Sequence, residues 1–144
     1  MPSVHRSAFV RHTPEQMFEL VNNFERYPEF LPGCRRARVV ERGEDYLIGS
    51  MTLAKGGVEQ TVTTRNDLKR PGRIDLSLVD GPFKRLDGCW LFRDLGENAC
   101  KVELEMEFEF SNRLLGMAFG RLFQQVAGQL IDAFTRRADQ VYGR

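Results

Sequence analysis

Lys101-Val102-Glu103-Leu104-Glu105-Met106-Glu107-Phe108-Glu109-Phe110 decides the fold. Five apolar side chains alternate with a lysine and four glutamates. A strict period of two is a β-strand with one dry and one wet face. Directly after it the period changes. Over residues 112–142, steps of about 100° put Leu115, Phe119, Leu122, Phe123, Val126, Leu130, Ile131, Phe134 and Val141 on one half of a helical wheel. Arg121, Gln125, Asp132, Arg136 and Asp139 fall on the other half. This is an amphipathic helix of about 28 residues, far above the usual length, and it can cover a whole sheet.

Working outward, the segment from about residue 34 to the strand above reads as a meander. Turn signals stand at Gly43-Glu44-Asp45, Lys55-Gly56-Gly57, Arg70-Pro71-Gly72, Asp80-Gly81-Pro82 and Gly96-Glu97-Asn98. Leu86, Trp90 and Phe92 share one parity, with Gly88 between them, and Ile74, Leu76 and Leu78 share another. Residues 3–11 read as a first strand. Thr13-Pro14-Glu15-Gln16 is a capping box with proline at the first helical position, so a short helix follows. Phe24 to Gly33 predicts a second helical turn and a proline-fixed loop, in which Phe24, Tyr27, Phe30 and Leu31 must dock on something apolar. The order is strand, two short helices, six strands, long helix. The expectation is an α+β domain spanning residues 1–144, its antiparallel sheet curved around the C-terminal helix.

A length of 144 residues supports one domain with a full core. Apolar residues at 42% and charged residues at 28% describe a globular chain rather than a disordered one. No apolar run approaches the roughly 18 residues of a membrane span. Met1-Pro2-Ser3-Val4-His5-Arg6 lacks the apolar core of a signal peptide, which makes the cytoplasm the expected compartment. A formal charge of +1 gives no global pull on nucleic acid, and no DNA partner is expected. Cys34, Cys89 and Cys100 contain no CxxC and read as reduced, buried thiols, although Arg35 and Arg36 beside Cys34 are placed to lower its pKa. Two histidines, no HExxH, no GxSxG and no P-loop argue against a metal site and against catalysis.

Several motifs then occur together and in order. Tyr27-Pro28-Glu29-Phe30-Leu31-Pro32, Leu78-Val79-Asp80-Gly81-Pro82-Phe83-Lys84, the set Leu86, Gly88, Trp90 and Phe92, and Phe108-Glu109-Phe110-Ser111-Asn112 with Leu114-Leu115-Gly116 span nearly the whole chain. They resemble the coenzyme Q-binding and ribosome association toxin branch of the START-like, polyketide cyclase superfamily. The resemblance implies a helix-grip fold, with seven antiparallel strands gripping the long helix around a hydrophobic cavity, and a bacterial source. Gly33, where many members have tryptophan, and Ala54, where some have a bulkier residue, depart from the pattern.

The residues expected to line such a cavity come from four places. Tyr27, Phe30 and Leu31 lie in the proline-fixed loop; Leu78, Phe83 and Leu86 flank the Asp80-Gly81-Pro82 turn. Trp90, Phe92, Met106 and Phe108 lie on the dry faces of two strands, and Leu115, Phe119, Leu122, Phe123 and Val126 on the helix. The entrance is expected between the Tyr27–Pro32 loop, the Asp80–Phe83 turn and the start of the long helix, with Arg65, Lys84 or Arg85 at a quinone oxygen or lipid headgroup. Gly116 and Gly120 on the apolar half of that helix require either the close approach of a strand or loop, or room for a ligand.

Two functions follow from the resemblance. One is non-enzymatic binding of ubiquinone or another polyprenyl lipid in support of respiratory electron transport, with no cofactor required and transient contact at the inner membrane surface. The other is a toxin that binds the large ribosomal subunit and blocks subunit joining. Cyclase-like turnover stays open as a third class. For the ribosomal reading the partner residues are Arg35, Arg36 and Arg38 on one strand, meeting RNA phosphates. The plainer account is that these arginines, with Arg42, are neutralised through the first strand by Glu103, Glu105, Glu107 and Glu109.

Overall fold

Two side-chain caps start the two α-helices. The Thr13 Oγ1 accepts from the Gln16 amide at 3.1 Å and the Gln16 Oε1 accepts from the Thr13 amide at 2.9 Å, opening α1 (Pro14–Asn22). The Asn112 Oδ1 accepts from the Leu115 amide at 2.8 Å, opening α2 (Arg113–Tyr142). The computed structural model describes residues 3–143; Met1 and Pro2, where the stretch read for a signal peptide begins, and Arg144 lie outside the described residues. Among the described residues, no helix is long and apolar enough to cross a membrane.

Seven strands form one antiparallel sheet: β1 (Ser3–Val10), β2 (Cys34–Arg42), β3 (Tyr46–Lys55), β4 (Val58–Lys69), β5 (Arg73–Asp80), β6 (Phe83–Gly96) and β7 (Ala99–Phe110). Their order across the sheet is β1-β7-β6-β5-β4-β3-β2. The meander from β2 to β7 is sequential, and β1 closes against the last strand, with Val4 opposite Met106 and Ala8 opposite Val102. A 3₁₀ helix (Phe24–Glu29) follows α1, and Gly33, with φ of +85°, turns the chain into β2. This is the helix-grip arrangement that the resemblance implies.

The dry faces meet as the periods require. Leu86, Trp90 and Phe92 of β6 and Val102, Leu104, Met106 and Phe108 of β7 are buried, with Trp90 against Phe134 of α2 and Phe92 against Phe18 of α1. Burying each such side chain contributes about 1.5–3 kcal/mol. The helix matches its wheel except near its C-terminus, where Val141 is exposed. The wet face of β7 also has an exception. Glu103 is buried, its Oε1 held by the Arg93 Nε at 2.8 Å and the Lys101 Nζ at 3.8 Å.

Candidate functional site

The side chains expected to line a cavity do converge between sheet and helix, but as two packed groups of rings. In the first, Phe83, Phe108 and Phe123 meet with centroids 4.8–6.2 Å apart, and Phe110 stacks on Phe83 at 5.0 Å. Phe119 closes this group against Phe123 at 5.9 Å. In the second, Tyr27, Phe30 and Trp90 surround Phe134 at 5.1–5.3 Å, and Trp90 stacks on Phe92 at 6.2 Å. Leu31, Leu86, Met106, Leu122 and Val126 are buried among them; Leu78 is half-buried against the same core, and Leu115 is half-buried outside it, beside the Asp80-Gly81-Pro82 turn. Edge-to-face contacts of this kind fill the space between the elements.

The parts of the expected entrance are spread along the helix. The Tyr27–Phe30 end of the loop lies at Phe134, Gly33 just after the loop lies at Val126 and Leu122, and the Asp80-Gly81-Pro82 turn lies beside Ser111 and Leu115. From Leu115 the helix rises about 10 Å to Leu122 and about 28 Å to Phe134. Of the polar residues assigned to it, Arg65 bonds to Asp67 at 3.0 Å with its guanidinium over the Tyr46 ring, and Arg85 bonds to Glu107 at 2.8 Å. Lys84 is exposed. Gly116 and Gly120 of α2 both lie against Phe110. A Cβ on Gly116 or on Gly120 would stand 3.4 Å from that ring.

Two hollows lie along β2. One hollow of about 440 Å³ is lined by Gly33, Cys34 and Arg35 and by the β3–β4 hairpin from Ala54 to Glu59. Both departures from the family pattern, Gly33 and Ala54, therefore fall in the same hollow. A second groove, of about 600 Å³, is lined by Pro28, Arg35, Arg36, Ala37 and Arg38 and by Ser50, Thr52 and Thr61. Here β2 is an edge strand. Arg36 stands opposite Thr52 and Arg38 opposite Ser50. The hydroxyls continue inward in two cross-strand pairs, Thr52 with Thr61 at 2.9 Å and Ser50 with Thr63 at 3.0 Å. Glu59 meets Arg36 at 2.9 Å and Arg35 at 3.5 Å; among the described residues, Arg38 has no carboxylate partner.

That arrangement corrects the plainer account of the arginines. The acidic strand β7 pairs with β1 and β6, and β2 sits at the far edge of the sheet. Glu105 faces His5 at 3.5 Å and Glu107 faces Arg85, so neither neutralises Arg35, Arg36 or Arg38. The hydroxyl row was not anticipated. Its signal is the alternation of Ser50 and Thr52 with Met51 and Leu53, matched on the next strand by Thr61 and Thr63 around Val62.

Burial pushes the Cys34 and Cys100 thiols up to about 11, so burial overrides the arginines beside Cys34. Among the described residues, His5, Glu103 and Glu105 form one grouping of metal-ligand type, but Glu103 is already engaged by Arg93 and Lys101.

Comparison with known proteins adds the following. Residues 10–135 match the family model described as polyketide cyclase / dehydrase and lipid transport. The chain is 51% identical over 143 residues to the ribosome association toxin RatA of Vibrio cholerae, covering 99% of each. It is 26% identical to the mitochondrial coenzyme Q-binding protein coq10 of Schizosaccharomyces pombe, covering 92% of this chain and 84% of that one. Among solved structures, an 18 kDa protein from Caulobacter crescentus superposes with a TM-score of 0.76 at 31% identity, covering 100% of both chains.

Proposed function

The chain belongs to the polyketide cyclase / dehydrase and lipid transport family, and from that premise we propose that it is a non-enzymatic binding protein that associates with the ribosome through the arginine-bearing edge of its sheet. The observation that carries this reading is the groove beside β2. Three exposed arginines border a row of hydroxyls, and one glutamate opposes them. Guanidinium groups recognise phosphate oxygens in a bidentate manner, and hydroxyls add neutral donors. Such contacts position a protein on a nucleic-acid backbone without reading bases. Identity of 51% over 99% of the chain to a protein named as a ribosome association toxin supports the same partner, and the large subunit is the target that the family resemblance implies.

The experiment is co-sedimentation with purified large subunits across a salt series. The Arg35→Glu, Arg36→Glu, Arg38→Glu variant is expected to lose at least about tenfold in affinity, and its salt slope to flatten by about one unit per arginine that meets a phosphate. Unchanged sedimentation of the triple variant overturns the reading.

A second reading is binding of a polyprenyl quinone or similar lipid. Phe110 favours it. Of the five rings in the first aromatic group it alone is half-buried, and it covers the two helical glycines, so its movement would open the interior beside Phe119 and Phe123. Quinone titration of delipidated protein, read through Trp90 fluorescence, tests it. Saturable quenching is expected, and its absence removes this reading.

A further inference from the structure

From Ser111 to Ile131 the chain carries two arginines, Arg113 and Arg121, and no carboxylate. Placed on the helix, Arg113, Leu114, Met117, Ala118 and Arg121 share an arc of about 140°. All five are exposed, and Leu114 and Met117 are each 75% exposed. Two long apolar side chains held in water on one helical face mark an interaction surface. Neither arginine has a carboxylate partner among the described residues. Val79, at the end of β5, is also exposed. The nearby acid Asp80 turns its carboxylate to the Gly81 amide at 2.9 Å. A groove of about 660 Å³ runs from Leu115 and the Asp80-Gly81-Pro82 turn to the Arg36–Glu59 ion pair, so the unpaired cations are those of the helix face itself.

We propose that this face of α2 docks on an anionic lipid bilayer. Leu114 and Met117 enter the acyl boundary while Arg113 and Arg121 meet headgroup phosphates. Apolar side chains between cations, with acids excluded, suit that occupant. A nucleic-acid strand suits it less, because the arc offers no aromatic ring on which a base could stack. This proposal stands apart from the ribosomal reading, which rests on Arg35, Arg36 and Arg38.

The test is vesicle co-sedimentation of the full chain, comparing pure phosphatidylcholine with phosphatidylcholine containing phosphatidylglycerol. Wild-type protein is expected to pellet with the anionic vesicles and to be released by salt. Leu114→Glu with Met117→Glu is expected to lower partitioning at least about tenfold. Arg113→Gln with Arg121→Gln is expected to lower it several-fold and to remove the preference for phosphatidylglycerol. Both pairs are exposed, so an unchanged thermal midpoint checks the fold. Wild-type protein that ignores both vesicle types overturns the proposal, as does binding that survives the Leu114 and Met117 change. If that change abolishes co-sedimentation with ribosomes and leaves vesicles unaffected, the face belongs to the ribosome and the proposal falls. Failure of wild-type protein to sediment with ribosomes removes the ribosomal reading and leaves this one standing.

Discussion

The Nε2 atom of His12 stands 2.8 Å from the Oδ1 of Asp139, across 127 positions of sequence. His12 is 3% exposed, and the Tyr142 ring lies 5.9 Å from it. The Tyr142 hydroxyl donates to the Gln16 carbonyl at 3.1 Å, so the junction of β1 and α1 is tied twice to the last turns of α2. His12→Ala is expected to destabilise the protein by about 1–3 kcal/mol. Urea unfolding reads this as a lower midpoint at unchanged slope. An unmoved midpoint would show that the bond contributes nothing net.

Glycines at two sites are expected to respond with opposite signs. A Cβ on Gly88 would stand 2.2 Å from the Glu105 carbonyl oxygen and 2.9 Å from the Met106 Cα, so β6 or β7 must shift. Gly88→Ala should cost about 1–3 kcal/mol. At Gly120 the nearest atom, 3.4 Å away, belongs to the Phe110 ring, which is half-buried and able to yield. There Gly120→Ala should stabilise by up to about 1 kcal/mol through helix propensity. Denaturant midpoints of the two single variants, compared side by side, check both.

Acid sensitivity should be traceable to Glu29. Its carboxylate accepts from Arg26 at 2.8 Å and from Arg137 at 2.7 Å, joining the 3₁₀ helix to α2. Hydrogen bonds from Arg26 and then Arg137 hold its carboxyl below the ordinary 4.5. A folded value below the unfolded one means stability that is present above the unfolded pKa and lost as pH falls through the folded one. Glu29→Gln should therefore lower the thermal midpoint at neutral pH and flatten its decline below about pH 4.5. A variant whose acid profile parallels wild type contradicts this.

Thiol chemistry offers a direct probe of core integrity. Burial raises Cys34 and Cys100 to about 11 from 9.0, and raises Cys89 as well. A shift of that size lowers the thiolate fraction about 100-fold at neutral pH. Native protein should react slowly with a disulfide reagent, and denaturant should release three fast equivalents, one for each cysteine. Rapid native reaction of one equivalent would show that one of these sites opens.

The sheet and the gripping helix were legible because their signals are periods. Alternation in Lys101–Phe110 and the wheel from Leu115 to Phe134 each specify a buried face without reference to any other element. Two matters escaped for the same reason. Periodicity says which side chains face inward but not whether they meet. Phe83, Phe110 and Phe123 come from three separate elements, and the ring contacts that fill the interior depend on their relative placement. That β1 is an edge strand beside β7, with β2 at the opposite edge, likewise leaves no local mark, which is why neutralisation of the β2 arginines through β1 does not follow from the sequence. The Ser50–Thr63 and Thr52–Thr61 row had a mark, in the matched parity of two neighbouring strands.

β1 has one neighbour in the sheet, and that neighbour is the last strand to be synthesised. Until Ala99–Phe110 leaves the translating machinery, Ser3–Val10 has no ladder to join, and the helix that roofs it comes later still. Closure of so long a loop raises contact order and slows folding. Every nascent intermediate therefore displays an unpaired first strand, so chaperone protection during translation should govern the yield of active protein more strongly than native-state stability does.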